Sequence, residues 1–188
     1  MKLKNYKITV AVIFSALCFI VCSSVQAQVY EQGHSYLSAG IGLGNRYSLD
    51  FSGVLGVSSS SGLPILATFE YGLSEKIGIG ALAGITSTSY SGSGQSATNS
   101  LIAFGGRGYY HFDANNDKLD FYAGAGLTYY NWSIDSKFSG GTLFTSGLNG
   151  VAFDVFAGGR YLFTEKIGAF AELGYSIAYL SLGVTAKF

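Results

Sequence analysis

Glu70, Arg107, Arg160 and Glu172 are charges set in stretches made mostly of Gly, Ala, Tyr and aliphatic residues. Each stands about four to six residues from a short polar turn. Isolated charges in a narrow interior are costly, so the four are expected to form one charge network. Gly78 and Gly80 leave the way open from Glu70 to Arg107, and Arg160 lies diagonally from Glu172. The expected pairs are therefore Glu70 with Arg107 and Arg160 with Glu172. Their chemistry is that of a stabilising plug, with a gate as the alternative.

Other chemical signals are sparse. Gly40-Ile-Gly42-Leu-Gly44 has a nucleotide-loop spacing, but no helix is expected to follow. Asp113, Asn115 and Asp117 alternate like calcium ligands, yet the Gly and the distant Glu of such a loop are missing. That segment reads as a polar turn. Asn131-Trp132-Ser133 spells a glycosylation sequon at a strand end and is read as coincidence. His34 and His111 are the only histidines, and both fall near short-turn ends. They read as ordinary interfacial residues rather than as the base of a Ser-His-acid hydrolase. No catalytic, cofactor or metal site is expected, and the chain is not expected to be an enzyme.

The elements that must carry these residues are strands. Eight segments alternate with a period of two, at about 34–44, 63–73, 76–88, 99–111, 119–133, 151–163 and 167–176, with the last ending at Phe188. In the last, Phe188, Ala186, Val184, Leu182 and Leu180 form an apolar face against Lys187, Thr185, Gly183, Ser181 and Tyr179. About ten residues of this pattern suffice to cross a bilayer when tilted. Connections alternate between short turns at Ser74, Asp113 and Thr164 and longer Ser/Gly/Asn-rich loops, including 45–62, Ser89–Ala97 and 135–149. Leu73-Ser-Glu-Lys-Ile-Gly78 recurs as Phe163-Thr-Glu-Lys-Ile-Gly168, an internal echo of one hairpin.

The N-terminus reads as an export signal. Lys2, Lys4 and Lys7 precede an apolar run from Ile8 to Val21, and Ser23-Ser-Val-Gln-Ala27 offers a cleavage site. Residues 1–27 are thus expected to be removed, leaving 28–188 as one domain. Cleavage removes Cys18 and Cys22, so no disulfide or Cys metal site is expected. The mature chain keeps eight basic and eleven acidic residues, a net charge of −3, which argues against nucleic-acid binding.

Charged residues make up 12% of the chain, against about 25% in soluble domains. The polar faces hold Glu70, Arg107, Asp120, Asp154, Arg160, Glu172 and Lys187 and little other charge, too little for a soluble surface. The apolar faces are therefore assigned to lipid and the polar faces to a narrow lumen. Aromatics near the strand ends, such as Tyr71, Tyr110, Phe163 and Trp132, fit two interfacial girdles. The expected fold is all-β, an eight-stranded antiparallel up-and-down transmembrane β-barrel.

Phe188 with Gly183 five residues before it, Phe170-Ala-Glu-Leu-Gly-Tyr175 and the two Glu-Lys-Ile-Gly turns carry a resemblance. The chain resembles the small eight-stranded outer-membrane barrels, the OmpA/OmpX-like β-barrel domain proteins. Leu182 stands where that family usually has a polar residue. The resemblance implies residence in the cell outer membrane of a Gram-negative envelope among its lipids. It also implies a C-terminal signal, Gly183 and Phe188, read by the barrel-assembly machinery. The function it implies is a non-enzymatic structural or surface-contact role, with loops open to an extracellular ligand. A narrow passage for small molecules and a lipid-modifying enzyme are the alternatives. No cofactor is implied, and a monomer is expected.

Overall fold

The alternation found in the sequence folds into one closed wall. The computed structural model describes residues 29–46, 58–92, 95–114, 116–138, 141–145 and 149–188. The expected export signal, 1–27, lies outside the described residues. The strands are β1 (Ser35–Asn45), β2 (Ser58–Ser61), β3 (Ile65–Gly72), β4 (Ile77–Gly92), β5 (Gln95–Phe112), β6 (Leu119–Phe138), β7 (Gly141–Thr145), β8 (Asn149–Leu162), β9 (Ile167–Tyr175) and β10 (Ala178–Lys187). Eight of them close a ring in the order β4, β3, β1, β10, β9, β8, β6, β5, with β5 returning to β4, every pairing antiparallel. The first and last strands meet, and Phe188 and Ser35 exchange two backbone hydrogen bonds at 2.9 and 3.2 Å. Closure leaves the barrel wall without a free edge, the condition for crossing a membrane as a sheet.

Period two sorts the side chains. On β4, Ile77, Ile79 and Ile85 point out and are about half exposed, while Leu82 and Thr86 point in and are buried. Moving such an aliphatic side chain from water into lipid is worth roughly 1.5–3 kcal/mol. A Lys or Arg on the lipid face at mid-bilayer costs about 2–4 kcal/mol. The described charged side chains of the barrel strands are accordingly buried inside: Glu70, Arg107, Asp120, Asp154, Arg160, Glu172 and Lys187.

The internal echo is a structural repeat. Leu73 and Ser74 both donate backbone hydrogen bonds to the Ile77 carbonyl, and Phe163 and Thr164 do the same to Ile167. In each turn the hydroxyl, of Ser74 or Thr164, accepts from the backbone N–H three residues on.

At the other end the structure corrects the expected loops. Ser89–Ala97 is not a loop: β4 runs to Gly92 and β5 begins at Gln95. Within 45–62 and 135–149 the short strands β2 and β7 pair with the far ends of β4 and β6. Ser- and Thr-rich sequence by itself suggests an irregular loop. Beyond the bilayer both faces of a ribbon can be wet, and backbone pairing then needs no apolar face. One wall, built on β2, β4, β5, β6 and β7, therefore projects past the rim formed by β9, β10 and β1.

Candidate functional site

The four predicted charges all point into the lumen, but at two depths. Glu70 and Arg160 each lie two residues from the short-turn ends of their strands, Gly72 and Leu162. Arg107 and Glu172 each lie five residues from theirs, Phe112 and Ile167. Glu70 and Arg107 share one ladder row with Gly80 between them, but Glu70 lies over Gly78 toward His111 and Arg107 turns the other way, across Gly126. The expected pairs Glu70–Arg107 and Arg160–Glu172 are replaced by two separate clusters.

The deeper cluster surrounds Arg107. Its Nε donates to Asp154 Oδ2 at 2.9 Å, its Nη1 to Glu172 Oε1 at 2.9 Å and its Nη2 to Ser176 Oγ at 2.8 Å. Ser176 in turn donates to Asp154 at 3.2 Å. Arg107 and Asp154 are both paired to Gly126 on the strand between them. A Cβ at Gly126 would stand 3.0 Å from Arg107 Cγ, so the glycine keeps the path of the side chain clear.

The outer cluster surrounds Arg160, which faces Asp120 directly across the β6–β8 ladder. Arg160 Nε lies 2.9 Å from Asp120 Oδ2, and its Nη2 donates to Glu70 Oε2. His111 bridges the same two carboxylates, with Nδ1 2.9 Å from Asp120 Oδ1 and Nε2 2.6 Å from Glu70 Oε1. With both carboxylates ionised, two such bonds take hydrogen on both ring nitrogens, that is, the imidazolium. Arg160 and His111 then balance Glu70 and Asp120 charge for charge.

Between the clusters sits an aromatic layer of Tyr109, Tyr122 and Phe156. The Arg107 guanidinium lies 4.1 Å from the Phe156 ring centre and that of Arg160 lies 4.9 Å from Tyr122. Cation–π contacts thus face this layer from both sides.

Both mouths are stoppered. At the short-turn end Val29 and Tyr30 are buried. Tyr30 stacks on His111 with ring centres 3.4 Å apart, and the Tyr36 hydroxyl donates to the Val29 carbonyl at 2.9 Å. Lys187 reaches Glu31 at 2.9 Å. Toward the opposite end the Ser176–Ile177 turn folds inward, and Ile177 packs with Leu66, Leu82, Leu101 and Phe170. On the turns outside the bilayer, the Asp113 carboxylate 2.6 Å from Lys76 pushes that ammonium above its usual range.

Asp120, Asp154 and His111 complete the clusters, although the expected network omitted them. His111 is a buried partner of two carboxylates, not an interfacial residue, because β5 continues to Phe112 with His111 on the same inward parity as Arg107 and Tyr109. That parity was the available signal. Although His111, Glu70 and Asp120 come together, Arg160 already supplies their cation. Among the described residues no group of His, Cys, Asp and Glu is arranged to hold a metal. Gly183 lies on the seam between β1 and β10, where a Cβ would stand 2.5 Å from Gly40 Cα. Phe188 is exposed on the outer surface beside it.

A family model described as the outer membrane protein beta-barrel domain matches residues 14–186. Among solved structures, OprG from Pseudomonas aeruginosa is similar at 12% identity, covering 88% of this chain and 99% of that one, with a TM-score of 0.57. Ail from Yersinia pestis, in complex with the heparin analogue sucrose octasulfate, is similar at 11% identity, covering 84% of this chain and all of that one, at 0.56. Neisserial surface protein A is similar at 17% identity, with 84% and 100% coverage and a score of 0.51. At these identities the likeness is one of fold. No curated protein sequence matches the chain.

Proposed function

Because the chain belongs to the outer-membrane protein β-barrel domain family, we propose that it is a non-enzymatic barrel with a structural or surface-contact role. On this reading it sits in the outer membrane with the short turns and both termini in the periplasm. The observation that carries the reading is the filled lumen. A solute would have to pass Tyr30, two ion clusters, an aromatic layer and the Ile177 plug in turn. Eight strands leave an interior just wide enough for side chains, and here those side chains hold one another. The wall projecting beyond the opposite rim is the part available to partners. Ail binds a polysulfated sugar; in this chain Arg46, a cation at the end opposite the short turns, lies 3.6 Å over the Tyr175 ring.

Planar-bilayer recording of the refolded protein tests this. The expected result is electrical silence; stable unitary openings would replace the structural reading with a passage for small molecules. The export signal and assembly signal belong to the same proposal. The mature chain is expected to begin at Gln28, as read by N-terminal sequencing. Deletion of Phe188 is expected to lower the outer-membrane level while leaving export intact.

A further inference from the structure

On β4 and β5 the projecting wall carries two outer faces in succession, and the border between them is sharp. On β4 the outward series is Ile79, Ala81, Ala83 and Ile85 and then only serine; on β5 it is Phe104 and Ile102 and then only hydroxyls. Ile85 pairs with Ile102, and one outward row further the register brings Ser87, Ser100 and Ser133 side by side. The next row is Ser60, Ser89 and Thr98. Beyond the border every outward position described on β2, β4 and β5 is Ser or Thr. On β6 the described array ends at Ser133.

We propose that this hydroxyl face is a carbohydrate-contacting surface whose partner is the sugar headgroup of the outer-leaflet glycolipid. The inference rests on the membrane orientation of the functional reading above and names the partner of that wall. Continuity carries it. The face is the direct extension of the lipid-facing band on the same strands, so the molecules whose acyl chains lie against Ile85 and Ile102 present their headgroups here. Chemistry selects the part of the headgroup. A hydroxyl both donates and accepts, matching sugar hydroxyls. A surface built for phosphates carries Arg or Lys, and the described face on β2, β4 and β5 has neither. Rows about 4.8 Å apart across strands and about 7 Å along them form a regular grid for such bonds. The opposite border contrasts with it: Tyr110 and Phe112 stand there near the Lys76–Asp113 ion pair, the pattern of a phospholipid interface.

The test is thermal unfolding of the refolded full-length protein in three vesicle types: phospholipid alone, phospholipid with core-sugar-bearing lipopolysaccharide, and phospholipid with lipid A lacking core sugars. The core-bearing vesicles are expected to slow unfolding about tenfold over both others, the equivalent of a few net hydrogen bonds. A Ser87→Ala, Ser89→Ala, Thr98→Ala, Ser100→Ala variant should lose that gain and unfold normally in phospholipid. If that variant does not fold, Ser89→Thr with Ser100→Thr keeps the hydroxyls and should retain the gain. Equal protection by lipid A alone assigns the contact to phosphate or acyl groups and overturns the inference, as does a gain that survives in the alanine variant. A change in oligomeric state by sedimentation, in place of the glycolipid effect, makes the face a contact between copies and overturns it too. None of these outcomes bears on conductance, so the structural reading stands or falls separately.

Discussion

The Arg107 and Arg160 clusters use the same chemistry at two depths of one lumen, yet they are completed differently. Among the described residues Arg107 is the sole cation paired with Asp154 and Glu172, and a hydroxyl from the Ser176 turn accepts from its Nη2. Arg160 shares Glu70 and Asp120 with His111, so those carboxylates have two cationic partners each. One cluster thus depends on a single side chain and the other has a reserve. Removing one partner of a buried ion pair is costly because it strands the other. The difference between the clusters is whether anything remains to satisfy the stranded group.

The largest expected effect follows from that dependence. Arg107→Ala should lower urea stability by about 3–5 kcal/mol, since two buried carboxylates lose their only cation. Arg160→Ala should cost less, about 2 kcal/mol, because His111 still donates to both Glu70 and Asp120. Equal losses in urea titrations of the two variants would erase the distinction between the clusters.

The next test sharpens the reserve itself. Combining His111→Ala with Arg160→Ala should destabilise by more than the sum of the single changes, with a coupling of about 0.5–3 kcal/mol. A strictly additive double-mutant cycle would mean that the histidine does not compensate.

Separateness is tested by a cycle across the clusters. Arg107→Ala with Glu172→Ala should couple strongly. Arg107→Ala with Glu70→Ala should be additive within about 0.5 kcal/mol, because the two act in different clusters. Strong coupling in the second cycle would restore a single network.

The smallest effect belongs to the mouth. Tyr30→Ala removes the ring stacked on His111 and should cost about 0.5–1.5 kcal/mol beyond its lost burial. It should leave the Arg107 cluster unaffected, as read by an unchanged Arg107–Glu172 coupling. A changed coupling would show that the two ends of the lumen communicate.

Much of this was legible in the residues. Alternation marked the eight strands, and its parity placed Glu70, Arg107, Arg160 and Glu172 inside. The repeated Glu-Lys-Ile-Gly motif marked two equivalent turns. Strand ends were less legible, because Ser58–Ser61 and Ser87–Ser91 pair through backbone and hydroxyl contacts and carry little apolar signal. The burial of Val29 and Tyr30 was not legible at all, since nothing local marks a segment that folds back under a barrel.

The sequence by itself determined which side of the wall each residue faces, because a period of two is fixed by the covalent geometry of an extended chain. It also determined that the lumen must be neutralised, because charge has no place on a lipid face. Only the tertiary structure decided who neutralises whom. Arg107 finds Asp154 across Gly126, and Arg160 finds Asp120 across the β6–β8 ladder, while Glu70 is shared with His111. Those partnerships depend on strand register and on depth along the barrel. Both are set by closing all eight strands at once, and no single strand contains them.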